Sequence, residues 1–156
     1  MSKLSVAICI VCIGICVSAQ DAPKKKMSKG GMPDKVLMQK IWDGWSTLDP
    51  ANTAQFYASG PHVFFDIAPL KYNSWAEYQD GVQKVVAGYK SATFTVNDDA
   101  QVHSFGKTVW GTGTVKFDMV EKSGKDNRGD MRWTVVWQKL GGKWLIVHEH
   151  VSVPMQ

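Results

Sequence analysis

The two alternating runs on either side of Gly141-Gly142 constrain this chain more than any other feature. Met131 to Leu140 and Lys143 to Pro154 both read as β-strands, and a Gly-Gly pair between such runs marks a two-residue hairpin turn of the primed type. That turn lets the register be counted. Leu140 is expected opposite Lys143, Trp137 opposite Ile146, Val135 opposite His148, and Trp133 opposite His150. Opposed residues share a face of the sheet. One face then carries Met131, Trp133, Val135, Trp137, Trp144, Ile146, His148, His150 and Ser152. The other carries Arg132, Thr134, Val136, Gln138, Leu145, Val147, Glu149 and Val151. The first face is the more apolar and aromatic, so it is expected to turn inward. Glu149 is expected outside, near Arg132, as a surface ion pair. A slip of one residue reverses every one of these assignments.

The period is helical earlier in the chain. Pro33-Asp34 opens a helix with Leu37, Ile41, Trp45 and Leu48 on one stripe, widened by Met38 and Trp42. Asp49-Pro50 stops it and starts a second, short helix through about Tyr57. His62 to Asp66 reads as a strand. Ser74 and Glu77 form a capping box for a third helix, with Tyr78, Val82, Val85, Val86 and Tyr89 on one face. From Ala92 the period is two, first through Val96 and again from Val109 to Met119, before a polar loop at Ser123 to Gly129. Helices early and strands late imply an α+β domain, with three N-terminal helices on one face of a curved antiparallel sheet.

At 156 residues the chain has room for one globular domain. Lys3, the apolar run Leu4 to Val17 and the small-residue site ending at Ala19 read as a secretory signal over 1–19. The run is too short for a membrane span of roughly 20 residues, so no stable anchor is expected after cleavage, and the mature protein is expected to be secreted or periplasmic. Residues 20–33 read as a flexible basic linker, and 34–154 as the domain. All three cysteines (Cys9, Cys12 and Cys16) lie in the signal, which excludes disulfides and thiolate chemistry from the mature chain. Five lysines and only one acid, Asp21, precede Gly30, so the net charge of +4 belongs to the leader and linker. The domain itself is balanced and carries no basic stripe, and nucleic acid is not an expected partner.

The element order, Phe64-Phe65-Asp66 at the junction, and the closing Trp144-Leu145-Ile146-Val147-His148-Glu149-His150-Val151-Ser152 resemble the SnoaL-like and ketosteroid-isomerase-like branch of the nuclear-transport-factor-2-like superfamily. The resemblance spans roughly Asp34 to Pro154 and implies a cone-shaped α+β fold. It also implies a pocket between helices and sheet, and a homodimer through the sheet. The family holds isomerases, cyclases, dehydratases, hydrolases and domains that only bind or assemble, so the fold does not choose among them. Asp66 matches the position of the proton-shuttling carboxylate of the ketosteroid isomerases. Ile41, beside Trp42, stands where they place the oxyanion tyrosine, which disfavours steroid isomerisation.

The candidate site follows from these readings. Asp66 is either a general base raised by apolar surroundings or a turn cap. His150 is either its acid/base partner or a satisfied structural histidine. Trp42, Tyr57, Trp133, Trp137, Trp144, His148 and Ser152 are expected to contact a ligand, and Tyr78 and Tyr89 are further hydroxyls for the same space. A metal held by His148 and His150 would need a third ligand from His62, His103 or Asp66 that no spacing demands. The expectation is therefore no metal and no cofactor. The expected partner is a small lipophilic molecule bound in an aromatic pocket, with an Asp/His lyase or isomerase and a dimeric assembly module as alternatives.

Overall fold

The computed structural model describes residues 31–155. The expected signal and nearly all of the expected linker lie outside the described residues.

Helix α1 (Lys35–Trp45) starts where Asp34 accepts a hydrogen bond from the Leu37 amide at 2.9 Å. Its buried stripe is Leu37, Met38, Ile41, Trp42 and Trp45. Asp49 caps the expected second, short helix through the Ala51 amide, and Pro50–Phe56 is of the 3-10 type. Seven residues leave little room for i to i+4 bonding, and the Thr53 hydroxyl donates to Pro50 O at 2.7 Å, a tighter local closure. Helix α2 (Trp75–Val86) begins at Ser74, whose hydroxyl accepts from the Glu77 amide. Glu77 reaches back one residue further than a reciprocal box would, to the Asn73 amide at 2.8 Å.

Six strands follow the order β1-β6-β5-β4-β2, with β3 beside the first half of β4. They are β1 (Phe64–Phe65), β2 (Tyr89–Val96), β3 (Gln101–Phe105), β4 (Thr108–Glu121), β5 (Asp126–Leu140) and β6 (Lys143–Ser152). β1 runs parallel to β6, so the sheet is mixed rather than wholly antiparallel. β1 is also shorter than expected. The Phe64 amide and carbonyl bond Tyr72, and Val63 O accepts from His148 rather than joining the ladder. The polar stretch Ser123–Gly129 is mostly not a loop. The turn centres on Gly124 (φ 93°), and Asp126–Gly129 pair with Phe117–Val120. Their polar side chains find partners across the strands: Arg128 meets Asp118 at 3.0 Å, and Asn127 meets Glu121 at 2.8 Å.

Where β2 borders α1, the helix covers the strand. The Gln39 amide donates to Phe94 O at 3.0 Å and accepts from the Val96 amide at 2.8 Å, much as a neighbouring strand would. The core lies between α1, α2 and the inner face of β4–β6, around Met38, Ile41, Trp133, Val135, Trp137 and Ile146.

The final hairpin is where the counted register fails. Gly141 and Gly142 take φ of 56° and 79°, as a primed turn requires. Leu140 faces Lys143 and Trp137 faces Ile146, as expected. The register then shifts by one. Val136 pairs with His148, Val135 with Glu149, Thr134 with His150, Trp133 with Val151 and Arg132 with Ser152. Val147 is the extra residue of a β-bulge. Beyond it the two faces of β6 are exchanged: Glu149 and Val151 turn inward, and His148, His150 and Ser152 turn outward.

Candidate functional site

The bulge puts a carboxyl group where imidazoles were expected. Glu149 is 1% exposed. Its Oε1 accepts from the Tyr57 hydroxyl at 2.9 Å and its Oε2 from Trp133 Nε1 at 3.0 Å. Trp45 Nε1 donates in turn to the Tyr57 oxygen at 3.2 Å. The Tyr78 hydroxyl stands close enough to the carboxylate to favour its charged form. Burial pushes the Glu149 carboxyl up to about 7, against the hydrogen bonds from Tyr78, Trp133 and Tyr57, and the charge of Asp66 pushes the same way as burial. Tyr57 and Tyr78 are themselves held well above the ordinary tyrosine range, first by burial and then by Glu149. The expectation of a surface ion pair at Glu149 is thus overturned.

Beside this cluster lies a cavity of about 270 Å³ between α1, α2 and the sheet. Trp42, Trp45, Tyr78 and Phe94 supply aromatic wall, and Met131 and Val151 are apolar residues of β5 and β6 that face it. Asp66 is the one carboxylate in the lining, and Tyr78, Tyr89 and Asn127 are the other polar residues. The half-buried Asp66 carboxylate accepts from the Ile67 amide at 2.7 Å, and burial raises its proton affinity while that bond opposes the rise. Trp42 also carries a buried indole N–H with no acceptor.

The residues expected from sequence separate into four groups. Asp66 and Trp42 line the cavity. Tyr57 and Trp133 lie one layer back, where they hold Glu149. Trp137 is fully buried core, and Trp144 is half-buried beneath Lys139, whose Nζ stands 5.9 Å from the ring centre. His148, His150 and Ser152 belong to the outer face, for the register reason given above. There the Phe65 ring meets His148 at 5.4 Å and His150 at 5.8 Å, edge-on. His148 Nδ1 donates to Val63 O at 2.8 Å, a bond that fixes its proton on Nδ1 because a carbonyl can only accept. The expected Asp66–His150 pair across the pocket is therefore not formed. Among the described residues, no group of three or more His, Cys, Asp or Glu stands together in a metal-holding arrangement.

Sequence reasoning missed Glu149 and Val151 because both depend on the bulge. Tyr78 and Tyr89, expected to share one face of the third helix, both line the cavity, but the helix ends at Val86 and Tyr89 is the first residue of β2.

The arrangement offers an apolar chamber with a carboxylate of raised proton affinity in its lining and a second carboxyl sealed behind Tyr78. Such a chamber can bind a mostly apolar molecule and orient one polar group of it. The same fold occurs in an NTF2-like superfamily protein of Salmonella enterica serovar Typhimurium, at 18% identity and a TM-score of 0.68 over 78% of this chain and 92% of that one. An NTF2-like protein of unknown function from Pseudomonas putida gives 21% identity and 0.67 over 78% and 84%. The association domain of Caenorhabditis elegans CaMKII gives 17% identity and 0.59 over 76% and 91%. No curated protein sequence matches the chain significantly. The model of the SnoaL-like domain matches residues 37–156, and the chain belongs to that family, with the fold of the NTF2-like superfamily.

Proposed function

We propose that this chain is an exported binder of a small lipophilic molecule, held in the cavity between the helices and the sheet. The observation that carries the reading is the cavity itself: walled by aromatic rings, large enough for a small organic molecule, and polar at only a few points. Trp42 and Trp45 face it, so their fluorescence reports occupancy. Titration with 2-naphthol, indole and 3-phenylpropan-1-ol should quench it saturably. Val85→Phe, at an exposed position of the cavity lining, should abolish the quenching without touching the core. A wild type that binds none of them, or a Val85→Phe protein that binds them equally, refutes the proposal. Export rests on Lys3, the apolar run to Val17 and Ala19. Recovery of mature protein beginning at Gln20 would support it.

A second reading is favoured by Asp66. A carboxylate of raised proton affinity in an apolar lining suits proton abstraction next to a carbonyl, as in a lyase or isomerase. In this reading Asp66 works without His150. Enolisable ketones incubated in D2O should exchange faster with wild type than with Asp66→Asn, and equal rates remove the reading. Homodimerisation through the outer face of the sheet is compatible with either reading. The exposed Val63 and Phe65 at and beside β1 favour it, and sedimentation tests it.

A further inference from the structure

The charge of the cavity narrows the ligand further than its size does. Its lining includes one carboxylate, Asp66, and no Lys, Arg or His. Among the described residues, Asp66 has no ion-pair partner: the four ion pairs all involve other acids. Its one polar contact is the Ile67 amide. A carboxylate taken partly out of water needs compensation, and a single amide dipole supplies only part of it. The charge of Asp66 raises the proton affinity of Glu149, so the buried carboxyl beside the cavity brings no compensation. The aromatic lining acts in the same direction. Trp42, Trp45, Tyr78, Tyr89, Phe94 and Phe117 all contribute to the lining, and the face of an aromatic ring attracts cations and repels anions. Carboxylate and rings together make a chamber that favours positive charge, while its apolar lining favours a hydrocarbon body.

We propose, on the reading that the cavity is a binding site, that its ligand is a protonated lipophilic amine. The ammonium group bonds the Asp66 carboxylate, and the apolar body lies among the rings. A cavity of about 270 Å³ suits the body of a small organic amine. An organic acid of the same size would bring a second negative charge against Asp66 with nothing to neutralise it.

The matched series 3-phenylpropylamine, 3-phenylpropan-1-ol and 3-phenylpropanoate tests this by titration calorimetry and tryptophan quenching at neutral pH. The amine should bind at least tenfold more tightly than the alcohol, and the acid should bind most weakly. In Asp66→Asn the amine should fall to the alcohol's affinity, while the alcohol changes little. Equal affinity of amine and alcohol for wild type, or preference for the acid, overturns the amine assignment and leaves the binding site intact. Absence of binding by all three overturns both. The wild-type ratio of amine to alcohol decides the matter without any variant. Asp66→Asn, at a half-buried position outside the core cluster, adds the assignment to a single side chain.

Discussion

Replacing Glu149 by Gln should change how stability depends on pH, in a direction and by an amount that the buried cluster sets. The carboxyl is 1% exposed, accepts from Tyr57 and Trp133, and is raised from 4.5 to about 7 by burial. Each tenfold gain in proton affinity is worth about 1.4 kcal/mol, so the ionised form costs the folded state about 3 kcal/mol more than it costs the unfolded chain. The folded value lies above the unfolded one, so between them the folded protein binds more protons. Its stability therefore falls as pH rises. The contribution is complete below about pH 4.5, is lost as pH climbs through about 7, and is flat beyond. Gln keeps the shape and cannot titrate. Urea unfolding of both proteins, followed by tryptophan fluorescence at half-unit steps from about pH 5 to about pH 8, gives the difference between two profiles in which most other groups cancel. Wild type should lose about 2–3 kcal/mol relative to Glu149→Gln across that range. Parallel profiles would refute the reasoning, since Glu149 would then titrate alike in both states.

Three further outcomes follow from the packing. Trp133→Phe removes the donor to Oε2 but keeps most of the ring. It should destabilise by about 1–3 kcal/mol, more at pH 8 than at pH 5 because the lost bond serves the charged form, as the same urea titration would show. Gly81→Ala, inside α2, would normally add about 1 kcal/mol of helix propensity. Here the new methyl meets the buried Tyr72 ring, so thermal unfolding should instead show a loss of about 1–3 kcal/mol. Gln39→Ala frees the carbonyl of Phe94 and the amide of Val96 on β2. It should cost about 1–2 kcal/mol and speed hydrogen exchange at the Val96 amide in particular.

Most of the fold was legible where local chemistry fixes it. Asp34, Asp49 and Ser74 announce their helices because a cap is a contact between near neighbours. Gly141-Gly142 announces the turn because few other pairs accept two positive φ values in succession. β3 was not foreseen, since Gln101–Phe105 lies at a sheet edge with most side chains in solvent and has no alternation to read. The start of β5 looked like loop because its polar side chains are satisfied by residues on another strand. The site was less legible for a single reason. The bulge at Val147 has no signature in Ile146-Val147-His148, which are all acceptable residues for an unbroken strand. Asp66 and Trp42, whose positions do not depend on that count, do line the cavity.

The irregularity in β6 also determines how this gene tolerates small deletions. Loss of the single codon for Val147 removes only the extra residue: His148 then follows Ile146 directly opposite Val136, and Glu149 still meets Val135 on the inner face. Tyr57 and Trp133 keep their acceptor. A second residue lost from the same stretch would bring Glu149 opposite Val136 and His150 opposite Val135, exchanging carboxylate and imidazole between the two compartments. The strand thus carries one dispensable residue and no more.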